Sequence, residues 1–242
     1  MTACGVPQHT SAFARRAPCI WTLLSDLSGT VKVAEKGPAA GSRSFPACIS
    51  PRADSDFQQD VWRRDAPGGD EKVVNIRKET PADIPSVRRL NDVVFAFPVE
   101  GTIVDALREN CPGVLSLVAV DGVRIVGHIF FSPVEIDGMS SNEAMGLGPM
   151  AVLPDCQRKG IGAALVAAGL RELEKSGCAV VVVLGHAGYY PRFGFVPARR
   201  YRLQSQWPGI SDDVFMVRFL KNEQAGLVSG TVCYRKEFDA AV

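Results

Sequence analysis

The stretch MAVLPDCQRKGIGAAL, Met150 to Leu165, joins an apolar strand pattern to a helix pattern through a turn that contains two glycines. Pro154 follows the strand pattern, and Gly160 and Gly162 precede an apolar run with helical spacing. The first turn of a helix has unpaired N–H groups and a partial positive charge. Because glycines let an anion approach this backbone closely, the stretch indicates a site for a diphosphate or a similar anion.

Two common phosphate-binding motifs do not fit the glycine pair. A P-loop requires G-x-x-x-x-G-K-[ST], and no such run occurs in the sequence. A dinucleotide fingerprint requires a third glycine, whereas Ala163, Ala164 and Leu165 follow here. A structural glycine pair at a tight strand–helix corner stays open, because G-x-G alone is a weak motif.

The overall composition excludes several classes of protein. The chain has 242 residues and a formal net charge of +1, which argues against a nucleic-acid-binding surface. No apolar run reaches the roughly 18 residues that a membrane helix needs. Seven scattered cysteines without a C-x-x-C pair predict reduced thiols rather than disulfides or a metal site. We therefore expect a cytoplasmic protein with no metal, membrane or nucleic-acid partner.

Composition changes near Val73. The preceding residues 37–56 are rich in Pro, Gly, Ser and Ala and show neither strand nor helix periodicity. Such a segment buries too little apolar surface to offset its ordering entropy, so we expect residues 1–72 to be a disordered extension and 73–242 the folded domain. Arg15 and Arg16 before an apolar stretch leave an export or transit signal open as the alternative.

From Val73 onward, strand and helix patterns alternate. We expect helices from about Pro81, over residues 100–110, over 160–176 and, as a short one, around Tyr189. Strands are expected at 73–80, 114–120, 124–136, 143–152, 179–184, 215–220 and 230–234. Asp121 and Gly122 predict a hairpin turn, and Pro149 with its neighbouring glycines predicts a bulge. Strands with inserted helices indicate a mixed α/β sheet.

The stretch from Val152 to Gly162 resembles the coenzyme A signature of the GNAT superfamily, the acetyl-CoA-dependent N-acetyltransferases. A second block, YYPRFGF at 189–195, matches the family's aromatic-Tyr-x-x-x-Gly-Phe pattern. The resemblance covers about residues 73–234. It implies an α/β (α+β) fold with a mixed, mostly antiparallel twisted sheet, a splayed central strand pair and helices on both faces.

The resemblance also implies the residues that bind acetyl-CoA. The pantetheine arm would pair with the family's fourth strand, and the diphosphate would be bound by the amides of the glycine loop. The matching positions are Met150, Ala151, Val152, Gln157, Arg158, Lys159, Gly160, Ile161, Gly162 and Ala163. The side chains of Arg158 and Lys159 are equally compatible with solvated charges.

Catalysis requires a proton donor for the leaving thiolate and a neutral attacking amine. Tyr190 lies four residues before Gly194, which is the position of the family's general-acid tyrosine. The family's usual glutamate base has no match, since its strand carries Gly146 and Gly148. Candidate bases elsewhere are His186, His128 and Glu100, with ordered water as the alternative.

These residues indicate an enzyme that transfers an acetyl group from acetyl-CoA to a primary amine in a ternary complex. The alternative is a non-catalytic acyl-CoA-binding sensor. The acceptor, a small-molecule or a protein amine, has no diagnostic motif, and a homodimer is left open.

Overall fold

The computed structural model describes residues 60–62, 74–96, 98–137, 139, 143–221, 223 and 225–241. Within these ranges the strands are β1 (Asp60–Trp62), β2 (Val74–Lys78), β3 (Leu115–Asp121), β4 (Arg124–Pro133), β5 (Ala144–Val152), β6 (Val180–Leu184), β7 (Val196–Pro197), β8 (Leu203–Ser205), β9 (Phe215–Phe219) and β10 (Gly230–Val232). The helices are α1 (Ile84–Phe95), α2 (Val99–Asn110) and α3 (Ile161–Lys175). Short 3₁₀ turns, including Tyr190–Phe193, connect several of these elements.

The main sheet contains eight strands in the order β1-β2-β3-β4-β5-β6-β9-β7. Its neighbours pair antiparallel, except for the parallel pair β5–β6. Strands β8 and β10 form a separate parallel pair. The predicted mixed, mostly antiparallel sheet is therefore confirmed.

Helices cover both faces of this sheet because alternate side chains of β4 point in opposite directions. Phe131 packs with Leu165 in the cluster that includes the buried face of α3, whereas Phe130 packs with Leu107 of α2. Helix α3 approaches the sheet closely at Gly169, where a Cβ atom would lie 2.4 Å from the Phe131 ring. Strands β5 and β6 lie between the α3 cluster, which includes Leu147 and Val181, and a third cluster, which includes Ala144 and Val180.

The start of α1 is held by a partly buried ion pair. The Asp83 carboxylate accepts hydrogen bonds from the Arg77 guanidinium at 2.6 and 2.9 Å and from the Thr80 backbone N–H at 2.8 Å. The Arg77 hydrogen bond is the main reason that the pKa of Asp83 falls well below its usual range. This contact anchors the helix whose other end, at Val94 and Phe95, borders the cleft described below.

The boundary between extension and domain stays a prediction. Asp60–Trp62, within the expected extension, form strand β1 and pair with β2. The remainder of that extension, residues 1–59 and 63–72, lies outside the described residues. Cys233 is disulfide-bonded rather than reduced, whereas Cys111, Cys156 and Cys178 are free thiols. Disulfide formation depends on Cα atoms lying within about 7 Å, which the spacing of cysteines along a chain does not reveal.

Candidate active site

A cleft opens where β5 and β6 separate. Their pairing runs from Ala144 to Leu147 on β5 and stops there, while β5 continues along β4 as far as Val152. The β4–β5 register shifts between Ile129 and Phe131, so the predicted bulge is present. At Gly148, with φ 153°, an added Cβ atom would meet nothing within 4 Å. The splayed strand pair expected from the resemblance is thus observed.

The cleft has a volume of about 700 Å³ and extends from the glycine loop to the aromatic residues near the end of the chain. It is lined by Val94, Phe95, Leu147, Gly148, Pro149, Met150, Val152, Cys156, Gln157, Arg158, Gly160, Ile161, Gly162, Ala163, Leu184, Gly185, His186, Tyr189, Tyr190, Arg192, Trp207, Tyr234 and Phe238.

One end of the cleft is formed by the first turn of α3. Gly160 is the N-cap residue and has φ 82°, a left-handed conformation that glycine adopts without strain. The next residues begin the helix, so their N–H groups are the unpaired donors of its first turn. Gln157 folds back to donate from Nε2 to the Val152 carbonyl at 2.9 Å and holds the loop against β5. The loop therefore has the geometry of an anion site.

Most of the predicted coenzyme-binding residues line this cleft, but two do not. Ala151 is buried on the opposite side of β5, between Met150 and Val152, which do line the cleft. Lys159 donates from Nζ to the Asp155 carbonyl at 2.6 Å instead of reaching into the cleft. Arg158 lines the cleft, so it is the cationic side chain of the loop that borders the anion site.

Tyr190 lines the cleft at the end of β6 and is only 7% exposed. Its ring packs edge-on against Tyr189 at 5.2 Å and Phe195 at 5.7 Å. It also lies against Gly185, where a Cβ atom would come within 2.3 Å of the ring. Burial, together with the neighbouring Tyr189, raises the pKa of Tyr190. The phenol is therefore protonated near neutral pH, and the raised pKa makes it a weaker acid than an exposed tyrosine.

The Tyr189 side chain lies beside the glycine loop. An added Cβ atom on Gly162 would be 2.9 Å from the Tyr189 hydroxyl, so this glycine makes room for the tyrosine. The guanidinium of Arg192 lies over the Tyr189 ring at 4.8 Å. A larger residue at position 162 would therefore displace the Tyr189 hydroxyl.

The three candidate bases lie in different environments. His186 is exposed, lines the cleft, and accepts a hydrogen bond at its backbone carbonyl from the Tyr189 N–H at 2.9 Å. Glu100 is 1% exposed in the first turn of α2 and does not line the cleft. Its carboxylate has no hydrogen bond to another described residue, and burial raises the pKa of Glu100. A carboxyl group in this environment favours its protonated form.

His128 lies outside the cleft and is completely buried under the helices. Its Nε2 lies 3.0 Å from the Ser116 hydroxyl, and its Nδ1 lies 3.2 Å from the Asn91 amide nitrogen. Ser116 donates in turn to Glu79, which also accepts from Arg108 at 2.7 Å. A consistent arrangement has His128 neutral, protonated on Nε2 and accepting at Nδ1. Burial, with a smaller effect of Arg108, lowers the pKa of His128 to about 3. These are the contacts of a structural histidine.

An aromatic group that the sequence patterns did not predict also lines the cleft. Trp207 packs against Tyr234 at 5.0 Å, and Tyr234 packs edge-on against Phe238 at 5.4 Å. Burial raises the pKa of Tyr234, whose hydroxyl has no partner among the described residues. Single aromatic residues outside strand and helix patterns carry little signal, although Trp207 precedes the turn pair Pro208-Gly209.

Two kinds of feature are missing from the described part of the chain. No group of three or more His, Cys, Asp and Glu side chains there is arranged to hold a metal ion. None of the helices in those ranges combines the length and the apolar character needed to cross a membrane.

Comparison with known proteins gives the family. The model of the acetyltransferase (GNAT) domain matches residues 112–197. The uncharacterized N-acetyltransferase YhbS of Escherichia coli K12 is 35% identical over 165 residues, which are 68% of this chain and 98% of YhbS.

Two solved structures are similar as well. E. coli YhbS in complex with CoA matches with a TM-score of 0.65 and 34% identity, over 69% of this chain and 92% of that one. A GNAT family acetyltransferase from Brucella melitensis in complex with acetyl-CoA matches with a TM-score of 0.57 and 36% identity, over 69% and 98% of the two chains. The splayed strands, the glycine loop and these similarities together show that the chain belongs to the GNAT family of acetyltransferases.

Proposed function

We propose that this acetyltransferase moves the acetyl group of acetyl-CoA to a primary amine by direct attack within a ternary complex. The observation that carries the proposal is the cleft between β5 and β6, which runs from the first turn of α3 to Tyr190. Relatives support the choice of co-substrate, since YhbS was crystallised with CoA and the Brucella enzyme with acetyl-CoA.

The residues present fit this co-substrate. The unpaired N–H groups after Gly160 and the side chain of Arg158 would bind the diphosphate. The edge of β5 that leaves β6 at Gly148 would pair with the pantetheine amides, since an unpaired strand edge offers both donors and acceptors. Met150 and Val152 would contact the apolar parts of the arm.

In the proposed reaction, the amine nitrogen attacks the thioester carbonyl carbon, and the carbon–sulfur bond breaks as the amide forms. The Tyr190 hydroxyl gives its proton to the departing thiolate, and the attacking nitrogen loses one proton. His186 or ordered water takes that proton, because no Asp or Glu is among the described residues that line the cleft. Glu100 is a weaker choice as the base, since it lies away from the cleft and burial raises its pKa.

Replacement of Tyr190 by phenylalanine tests this mechanism. The ring contacts with Tyr189 and Phe195 are kept, and one proton donor is lost, so turnover should fall by about 10²–10⁴-fold. Acetyl-CoA affinity and melting temperature should hold, which is the pattern of a lost transition-state interaction. The matched control is Tyr201→Phe, since Tyr201 packs edge-on against Phe219 at 4.7 Å and does not line the cleft. A Tyr190→Phe rate within a few-fold of the control would remove Tyr190 from the mechanism.

The alternative is a non-catalytic acyl-CoA sensor, and the lack of a carboxylate in the described cleft lining favours it. Calorimetry with acetyl-CoA and thiol release with a mixed amine panel separate the two functions. Binding without thiol release from any amine would identify a sensor, whereas amine-dependent release identifies the transferase.

A further inference from the structure

The described lining of the cleft contains an aromatic group and no acidic side chain. Trp207, Tyr234 and Phe238 pack on one another, and Val94 with Phe95 adds apolar surface at the end of α1. The charged or titratable side chains that border the cleft are Arg158, Arg192, His186, Cys156 and three tyrosines. An acceptor with several positive charges would find no counter-charge there, while an apolar or aromatic body would be well packed.

A second cavity of about 460 Å³ borders the same aromatic group, since Trp207 lines both cavities. It is bounded by the segment from Arg199 to Phe215, which contains β8. Two arginines and one aspartate contribute to its lining, namely Arg199, Arg202 and Asp212. The cavity is therefore polar and carries an excess of positive charge.

The two arginines differ in their partners. Arg199 is paired with Asp212, and the two charges compensate each other. Arg202 has no ion pair within the described residues, is exposed, and occupies the left-handed region at φ 58°. A left-handed conformation at a non-glycine residue costs about 1 kcal/mol or more. The turn is held by a hydrogen bond from the Gly230 N–H to the backbone carbonyl of Arg202 at 3.0 Å. The uncompensated guanidinium at this turn is a ready partner for an anion.

We infer that the acceptor is a primary amine with an apolar or aromatic body whose far end carries a carboxylate or phosphate that Arg202 binds. This inference rests on the proposed acetyl transfer and names its substrate class. The amine would face the thioester, the body would pack along Trp207 and Tyr234, and the anion would enter the second cavity. Polyamines and other polycations are excluded from this class.

A series of amines that share one body and differ at its far end tests the inference. The probes are phenethylamine, para-carboxyphenethylamine, tyramine O-phosphate and para-aminomethylphenethylamine, with spermidine as the polycation. Thiol release from acetyl-CoA is measured for each. The carboxylate or phosphate probe should have the highest kcat/KM, by about fivefold over phenethylamine, as expected for one exposed charge-assisted contact. The difference between the two anionic probes tells carboxylate from phosphate.

Arg202→Gln should remove this preference. Its KM for the preferred anionic probe should rise by about fivefold, with kcat/KM for phenethylamine and acetyl-CoA affinity unchanged. Arg89→Gln is the matched control, because Arg89 belongs to α1 and lines neither cavity. If Arg202→Gln and Arg89→Gln have the same KM and kcat/KM values over the probe series, the inference is overturned.

A higher kcat/KM for spermidine or para-aminomethylphenethylamine than for the anionic probes would also overturn the inference, while leaving acetyl transfer intact. Acetyl-CoA binding without thiol release from any probe would overturn the proposed function itself, and the two failures are thereby distinguishable.

Discussion

Stability should depend on pH through His128, the buried histidine beneath α1 and α2. The folded protein holds this ring neutral, with a pKa of about 3. In the unfolded chain the ring is in water and has a pKa of about 6.5. Below that value the unfolded state binds a proton that the folded state does not, so the unfolding free energy falls as pH falls. The stabilisation is fully present above about pH 6.5 and is lost progressively toward pH 3.

The magnitude follows from these two pKa values. Between pH 8 and pH 5, protonation of the unfolded chain should lower the unfolding free energy by about 2 kcal/mol. Replacement of His128 by glutamine removes the titrating group. The glutamine amide can donate toward Ser116 and accept from Asn91, which are the roles that the neutral imidazole performs. The difference in unfolding free energy between wild type and His128→Gln should therefore shrink by about 2 kcal/mol over this range.

Urea denaturation followed by tryptophan fluorescence at pH 8, 7, 6 and 5 measures this difference directly. His186→Gln, which replaces a histidine that borders the open cleft, is the matched control and should keep the wild-type pH slope. If His128→Gln and wild type lose stability in parallel, the ring is not held neutral and the hydrogen-bond chain from Asn91 to Glu79 is wrongly assigned.

The remaining predictions concern the cleft. Gly160→Asp should weaken acetyl-CoA binding by at least about 2 kcal/mol, because a negative side chain would enter the anion site. Gly226 also has a positive φ, 91°, and an added Cβ atom there would meet nothing within 4 Å. Gly226→Asp should therefore leave acetyl-CoA affinity unchanged in calorimetry. Equal affinities of Gly160→Asp and Gly226→Asp would contradict the anion site. Glu100→Gln should raise stability at pH 8, since burial raises the Glu100 pKa and the carboxylate destabilises the fold once pH exceeds its unfolded value. Its turnover should stay within about threefold of wild type, and a loss of about 10²-fold or more would instead identify Glu100 as the base. Gly162→Ala should change stability by less than about 1 kcal/mol, because the displaced Tyr189 hydroxyl ends a partly exposed side chain and alanine favours the helix. Thermal denaturation of this variant measures the change, and a loss of several kcal/mol that Tyr189→Phe restores would show that the Tyr189 side chain cannot move.

Much of the fold was predictable because its signals are local. The alternation in β2 reflects the two-residue period of a strand, and the apolar run of β6 is typical of a strand that is buried on both faces. Both strands were predicted close to their observed bounds. Gly160 and Gly122 were recognisable because particular backbone angles require glycine there. Strand β1 was not predicted, since three residues are too few for a period, and its pairing with β2 is a contact between segments distant in sequence.

The candidate site divides in the same way. The sequence by itself was enough to identify the glycine loop, Tyr190 before Gly194 and the family resemblance, because each rests on a short motif with fixed spacing. Only the tertiary structure separated His186, in the cleft, from His128 beneath the helices. It also brought Trp207 and Tyr234 to the far wall of the cleft and left Arg202 without an ion pair among the described residues beside them. These distinctions depend on which distant segments pack together and on how far that packing excludes water, and neither property is encoded in the spacing of residues along the chain.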